Sequence, residues 1–207
     1  MLNIIAHIRE NEAKIVEKQP LTGSNGHLEG VAEMAFEFAN AFNAGEFAKC
    51  AGLLHDLGKF QTDFQNYIRQ SSGFDCEESD DFGVGKVDHS AAGAIWAYEK
   101  GHNEKNIAGL LLPYIIAGHH SGLPNFFGKL NKRLDKKDCL TKSLENGGLE
   151  LVSGLHLPTL SHSPVKNLRD LHLWVRMLFS CLVDADFLTR NGSCLRKILF
   201  YVILKFL

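Results

Sequence analysis

The sequence predicts an all-α fold in one domain, on three observations. Apolar residues recur at three- and four-residue steps along most of the 207 residues. A hydrophobic content of 45% at this length suffices to bury one sizeable core. Neither an internal repeat nor a domain linker interrupts the pattern.

Taken in order, Leu28, Val31, Ala35, Phe38 and Phe42 predict an amphipathic helix over Gly26 to Asn43. Phe47, Cys50, Ala51 and Leu54 form a second stripe, which Gly58 is expected to terminate. Phe60, Phe64, Tyr67 and Ile68 mark a third, short helix. Ser71 to Lys86 is Gly-rich, acidic and aperiodic, and reads as a surface loop. Helices are expected again over Asp88 to Lys100 and Glu104 to Gly118, the latter kinked at Pro113. Phe126 to Leu144 reads as a basic helix. Gly147 to Ser163 reads as a loop with a short hairpin, and Val165 to Thr189 as the longest amphipathic segment.

A net charge of −2 gives no global reason to bind nucleic acid, so such binding needs a local patch or a metal. The five cysteines (Cys50, Cys76, Cys139, Cys181, Cys194) are odd in number and lack CxxC spacing. They argue for a reducing compartment, not for a disulfide frame or a thiolate metal site. No leader pattern stands at the start. The apolar run Ile198 to Leu207 is broken by Lys205 and too short for a bilayer. A cytoplasmic protein without a membrane partner is the expectation.

The chemistry lies in the histidines. His55-Asp56 follows Leu53-Leu54 directly, and a buried carboxylate is costly unless paired or bound to a cation. Lys59 is its structural partner in one reading; in the other a metal holds Asp56 and leaves Lys59 free to act on substrate. His27 lies one helical turn before Val31 and can face inward, or simply cap the helix. His89 opens a small-residue run, Ser90-Ala91-Ala92-Gly93-Ala94, which lets helices approach, for packing alone or to converge on an ion. His119 and His120 are adjacent, and helical neighbours diverge by about 100°. They are therefore expected to serve two neighbouring ions, with Asp56 as a bridge. On the last long helix Asp184 and Asp186 compete. Helical stepping sets Asp186 about 50° and Asp184 about 150° from the centre of the apolar stripe, which favours Asp186. An imidazole-rich set suits Mn, Fe, Co or Ni better than Mg, which remains admissible. His7, His102, His156, His162 and His172 have no acidic or histidine partner at informative spacing and read as surface or packing residues.

In order, His27, His55-Asp56, His89, His119-His120 and Asp186 resemble the HD superfamily of metal-dependent phosphohydrolases. The segments around them resemble the HD nuclease of type I CRISPR interference more closely: His55-Asp56-Leu57-Gly58-Lys59-Phe60 with Phe64-Gln65, Asp88-His89-Ser90-Ala91-Ala92-Gly93-Ala94, Gly118-His119-His120-Ser121-Gly122-Leu123, and Leu182-Val183-Asp184-Ala185-Asp186-Phe187-Leu188. The resemblance implies a helical bundle with a metal site in its core, occupying residues 1–190. It implies one or two divalent transition-metal ions held by His27, His55, Asp56, His89, His119, His120 and Asp186. It also implies Asp56 and Lys59 as catalytic residues, with Lys59 near the scissile phosphate. The activity implied is endonucleolytic cleavage of single-stranded DNA in antiviral defence, beside a superfamily 2 helicase and a surveillance complex. Thr189-Arg190 departs from the family pattern, and Asn191 to Leu207 reads as an atypical tail, as truncation or a frameshift would leave. The sequence contains no G-x-x-x-x-G-K-[ST] loop and hence no helicase motor.

Lys129, Lys132 and Arg133, with Lys136 and Lys137 close behind, offer a phosphate track, and Phe126 and Phe127 offer stacking surfaces. A solvated helix face balanced by Asp135 and Asp138 is the plainer reading. Two other functions fit the same residues: a phosphohydrolase of nucleotides or cyclic nucleotides, and an inactive interaction fragment.

Overall fold

The computed structural model describes residues 4–10, 16–70, 87–160 and 167–191. The expected loop at Ser71 to Lys86 and nearly all of the atypical tail lie outside the described residues. A hairpin comes first, with β1 (Ile5–Glu10) antiparallel to β2 (Val16–Pro20). Helices follow as α1 (His27–Asn40), α2 (Gly45–Leu54), a 3₁₀ turn (Leu57–Phe60) and α3 (Thr62–Gln70). Beyond them come α4 (Ser90–Glu104), α5 (Ala108–Gly118), the short α6 (Asn131–Leu134), α7 (Lys137–Ser143) and α8 (Leu149–Val152), then α9 (Leu168–Asn191). The fold is predominantly α, as the periodicity predicts. No helix among the described residues is long and apolar enough to cross a membrane.

Two pairs of helices make the frame: α1 packs on α2, α4 on α5, and α9 lies across α1, α2 and α5. Leu28, Val31 and Ala35 on α1, Phe47, Ala51 and Leu54 on α2, and Trp174, Leu178 and Leu182 on α9 are buried in the shared core. Phe47 and Trp174 meet edge to face at 5.3 Å.

Several boundaries differ from the sequence reading. The hairpin at residues 5–20 replaces unassigned chain: Ile5, Ala6 and Ile8 are buried, so β1 is covered on both faces and shows no alternation to read. The second helix ends at Leu54, not at Gly58. Gly58 lies inside the 3₁₀ turn, where its N–H donates to His89 O at 3.1 Å and a Cβ would stand 2.1 Å from that oxygen. The glycine serves close approach, not termination. The basic segment after Asn125 is not one helix. A wide turn at Phe126–Leu130 leads into α6, and Lys136 (φ −81°, ψ 54°) breaks the path before α7. Most of the stretch expected as loop and hairpin after Gly147 is helix α8 and irregular chain, and no strand occurs there among the described residues.

A candidate dinuclear metal centre

Helix ends assemble the site. His27 is the first residue of α1 and His89 immediately precedes α4. His55 and His119 are the first residues beyond α2 and α5. Each of those two turns its ring back on its own helix: His55 Nδ1 lies 2.8 Å from Gly52 O, and His119 Nδ1 lies 2.7 Å from Ile116 O. Both bonds satisfy a carbonyl that the helix terminus leaves without an N–H. They also place the proton on Nδ1, so each Nε2 is directed at the cluster as a donor atom.

Asp56 stands at the centre and is fully buried. Its Oδ1 lies 3.5 Å from both His89 Nε2 and His119 Nε2. Its Oδ2 lies 3.3 Å from His27 Nε2, 3.1 Å from His55 Nε2 and 2.8 Å from Lys59 Nζ. Asp186, from α9, brings Oδ1 to 3.2 Å from His27 Nε2 and 3.8 Å from His55 Nε2. His120 Nε2 is 3.0 Å from His89 Nε2. All seven residues proposed as ligands from the sequence thus come together. Asp186 is buried, whereas Asp184, two residues earlier, is exposed.

The donor atoms fall into overlapping groups. Asp56 groups with His89, His119 and His120; Asp56 also groups with His7, His27 and Asp186; and His55 groups with His119 and Asp186. Asp56 therefore joins two clusters, one through each oxygen. His119 and His120 lie in the same group, contrary to the expected divergence. The chain leaves α5 at Gly118, and in the turn that follows the two rings lie 3.8 Å apart between centroids, tilted by 47°.

A divalent cation fits this arrangement. Asp56 Oδ1, His119 Nε2 and Asp186 Oδ1 are buried without a hydrogen-bond partner among the described residues. An imidazole lone pair 3.5 Å from a carboxylate oxygen is repulsive unless a proton or a cation lies between them. Ligands at 2.0–2.2 Å from one ion stand about 3.0–3.5 Å apart, close to the separations above. Electrostatics agree. Burial would raise the Asp56 carboxyl, but His55 and Lys59 outweigh it and hold it well below the usual carboxylate range. Burial likewise opposes the charge on Asp186, which His27 and His55 hold well below that range. Without an ion, the positive charge is supplied by Lys59 and by His55.

Two expectations need correction. Lys59 does not stand free beside an incoming phosphate. It is fully buried, paired with Asp56, 3.1 Å from His7 Nε2 and 3.3 Å from Ala6 O. Arg133 is not a free track residue. Its Nη1 donates to Ser90 Oγ at 3.1 Å and to the Ala117 carbonyl, tying the start of α4 to the end of α5. Lys129 and Lys132 are exposed, as a track requires. One residue was missed: His7, read as surface or packing, is buried beside His27. Its only sequence signal is its place inside the apolar run Ile4-Ile5-Ala6-His7-Ile8.

The family model described as Cas3, HD domain matches residues 27–183, more than half of the chain. The chain belongs to this family. Cas3 HD domains are metal-dependent phosphohydrolases of CRISPR defence, and divalent ions are their cofactors. The match places His27, His55, Asp56, His89, His119 and His120 inside the family's span, with Asp186 and His7 outside it. No curated protein matches the chain.

Proposed function

We propose that this Cas3 HD domain is an endonuclease that hydrolyses phosphodiester bonds of single-stranded DNA with two divalent ions. The observation that carries the reading is the division of Asp56 between two donor clusters, one through Oδ1 and one through Oδ2. In this reading His89, His119, His120 and Asp56 would hold one ion, and His27, His55, Asp186 and Asp56 would hold the other. Divalent ions bound there would polarise phosphoryl oxygens and lower the pKa of water.

The chain's own residues do the rest. The Nδ1 bonds of His55 and His119 to backbone carbonyls fix the rings, so little reorganisation accompanies the reaction. Lys59 holds the Asp56 carboxylate ionised and oriented through a buried ion pair, which is positioning and not contact with substrate. His120 is half-buried while the other metal-site histidines are buried, so in this reading it is the ligand nearest solvent and incoming phosphate. Lys129 and Lys132 supply positive charge, and the exposed ring of Phe127 (91% accessible) supplies a face for a base. An imidazole-rich donor set favours Mn, Fe, Co or Ni over Mg. A helicase and the surveillance complex deliver the strand.

The test is cleavage of circular single-stranded DNA by metal-stripped protein resupplied with Mn, Ni, Co or Mg, with Asp56→Ala alongside. Cutting that needs a transition metal and vanishes in Asp56→Ala is the expected result. Folded, metal-loaded protein that cleaves mononucleotides and no oligonucleotide would overturn the DNA reading. Loss of all phosphoester hydrolysis in such protein would leave an interaction fragment.

A further inference from the structure

Resting on the dinuclear reading above, we propose that His7 is an additional donor to the ion held by Asp56, His27 and Asp186, carried into the centre by the hairpin. His7 is the one ionisable residue in a buried strand segment whose neighbours Ile5, Ala6 and Ile8 are apolar. Its Nε2 lies 3.4 Å from His27 Nε2, the separation of two nitrogens on one ion. Its ligand atom and those of His27, Asp56 and Asp186 all lie within 4.8 Å of one another.

The hairpin is held in place for this task. The Gln65 side chain pairs with the backbone of Ile5 as a strand would: Ile5 N–H donates to Gln65 Oε1 at 3.0 Å, and Gln65 Nε2 donates to Ile5 O at 2.9 Å. The same Nε2 donates to Lys59 O at 2.8 Å, and Lys59 Nζ donates to Ala6 O at 3.3 Å. The backbone on the N-terminal side of His7 is therefore fastened to the segment that follows Asp56. Lys59 Nζ also donates to His7 Nε2 at 3.1 Å, so that nitrogen is unprotonated and its lone pair passes from the ammonium to the ion when metal binds. His7 and the hairpin lie outside residues 27–183, so the added ligand is a feature of this chain beyond the matched family span.

The experiment compares unaltered protein with His7→Ala and His7→Asp, each stripped of metal and titrated with Co(II). Uptake is followed by the visible absorption of Co(II) and by elemental analysis of bound cobalt. His7→Ala is expected to change the Co(II) spectrum and weaken one site about tenfold or more, with His7→Asp restoring most of the affinity. Should His7→Ala fold poorly, the unaltered protein labelled with [15N]histidine is read instead. A paramagnetically shifted His7 signal, absent in His7→Gln, is then expected. A Co(II) spectrum and affinity unchanged in His7→Ala, or a His7 signal without a paramagnetic shift, would overturn the proposal. Failure of the unaltered protein to take up cobalt would overturn the metal reading itself and the proposal with it.

Discussion

Asp56 and Lys59 form an ion pair of 2.8 Å in which neither side chain reaches solvent, three residues apart across a 3₁₀ turn. Removing one partner of such a pair leaves an uncompensated buried charge. Lys59→Met is therefore expected to destabilise the metal-free protein by about 3–5 kcal/mol. Added divalent ions should recover part of that loss, because they supply the positive charge Asp56 has lost. Denaturant unfolding with and without metal checks this; an unchanged midpoint in the metal-free variant would refute it.

The same pairing predicts a pH dependence. Burial opposes charge on His55, but Asp56 and Asp186 outweigh it and lift the imidazole from 6.5 to about 10. Asp186 is held well below its ordinary 3.8. A raised histidine contributes stability that is complete below 6.5 and lost as pH climbs through about 10, while a depressed carboxylate contributes stability that is lost as pH falls below 3.8. His7, held well below 6.5 by burial and by Lys59, withdraws stability as pH falls below 6.5, so metal-free protein should melt highest near pH 6.5, with Tm declining toward pH 10 and toward acid. Metal binding requires a neutral imidazole and so releases a proton. The stability gained on adding metal should therefore grow from pH 6 to 8 by about 1 kcal/mol or more, read as a larger upward shift in Tm. A metal-free Tm that is flat from pH 6 to 10 counts against this account.

Gly58 and Gly93 give a steric prediction. A Cβ at Gly58 would meet His89 O at 2.1 Å, and one at Gly93 would meet Leu54 O at 1.9 Å. Both obstacles are backbone atoms next to or at site histidines. Gly58→Ala and Gly93→Ala should each cost about 1–3 kcal/mol and weaken metal binding, since α4 must shift away from Asp56. Gly154→Ala is the control for stability loss without metal loss, because φ is +83° there and no atom lies within 4 Å. Isothermal titration with Co(II) separates the two behaviours.

Arg133 and Lys132 are neighbours with different roles. Arg133 joins Ser90 to the Ala117 carbonyl, and Ser90 in turn donates to Asp88, which pairs with Lys136 at 3.0 Å. Arg133→Met should cost about 1–3 kcal/mol and reduce metal affinity, because the carbonyl at the end of α5 loses its donor. Lys132→Glu should leave metal affinity unchanged, weaken binding of single-stranded DNA and lower its salt slope by about 1. Equal effects of the two changes on metal uptake would show the distinction to be wrong.

Most of the candidate centre was legible in the chain. His27, His55, Asp56, His89, His119, His120 and Asp186 each occupy a position where helical period or an apolar neighbour directs a polar group inward, and all seven meet. Helical stepping separated Asp186 from Asp184 because α9 is long and regular, so its phase persists over six turns. What the sequence by itself determined is therefore the inventory: helices, their inward faces and the donor residues they carry. Only the tertiary structure decided the partners. Lys59 pairs under the centre, Arg133 ties two helix ends, His119 and His120 share one cluster, and His7 arrives from a hairpin outside the helical pattern. Periodicity reports which way a side chain faces along its own element. Where four helix ends and a strand converge, contacts depend on approach between elements, and a one-dimensional pattern carries no record of that.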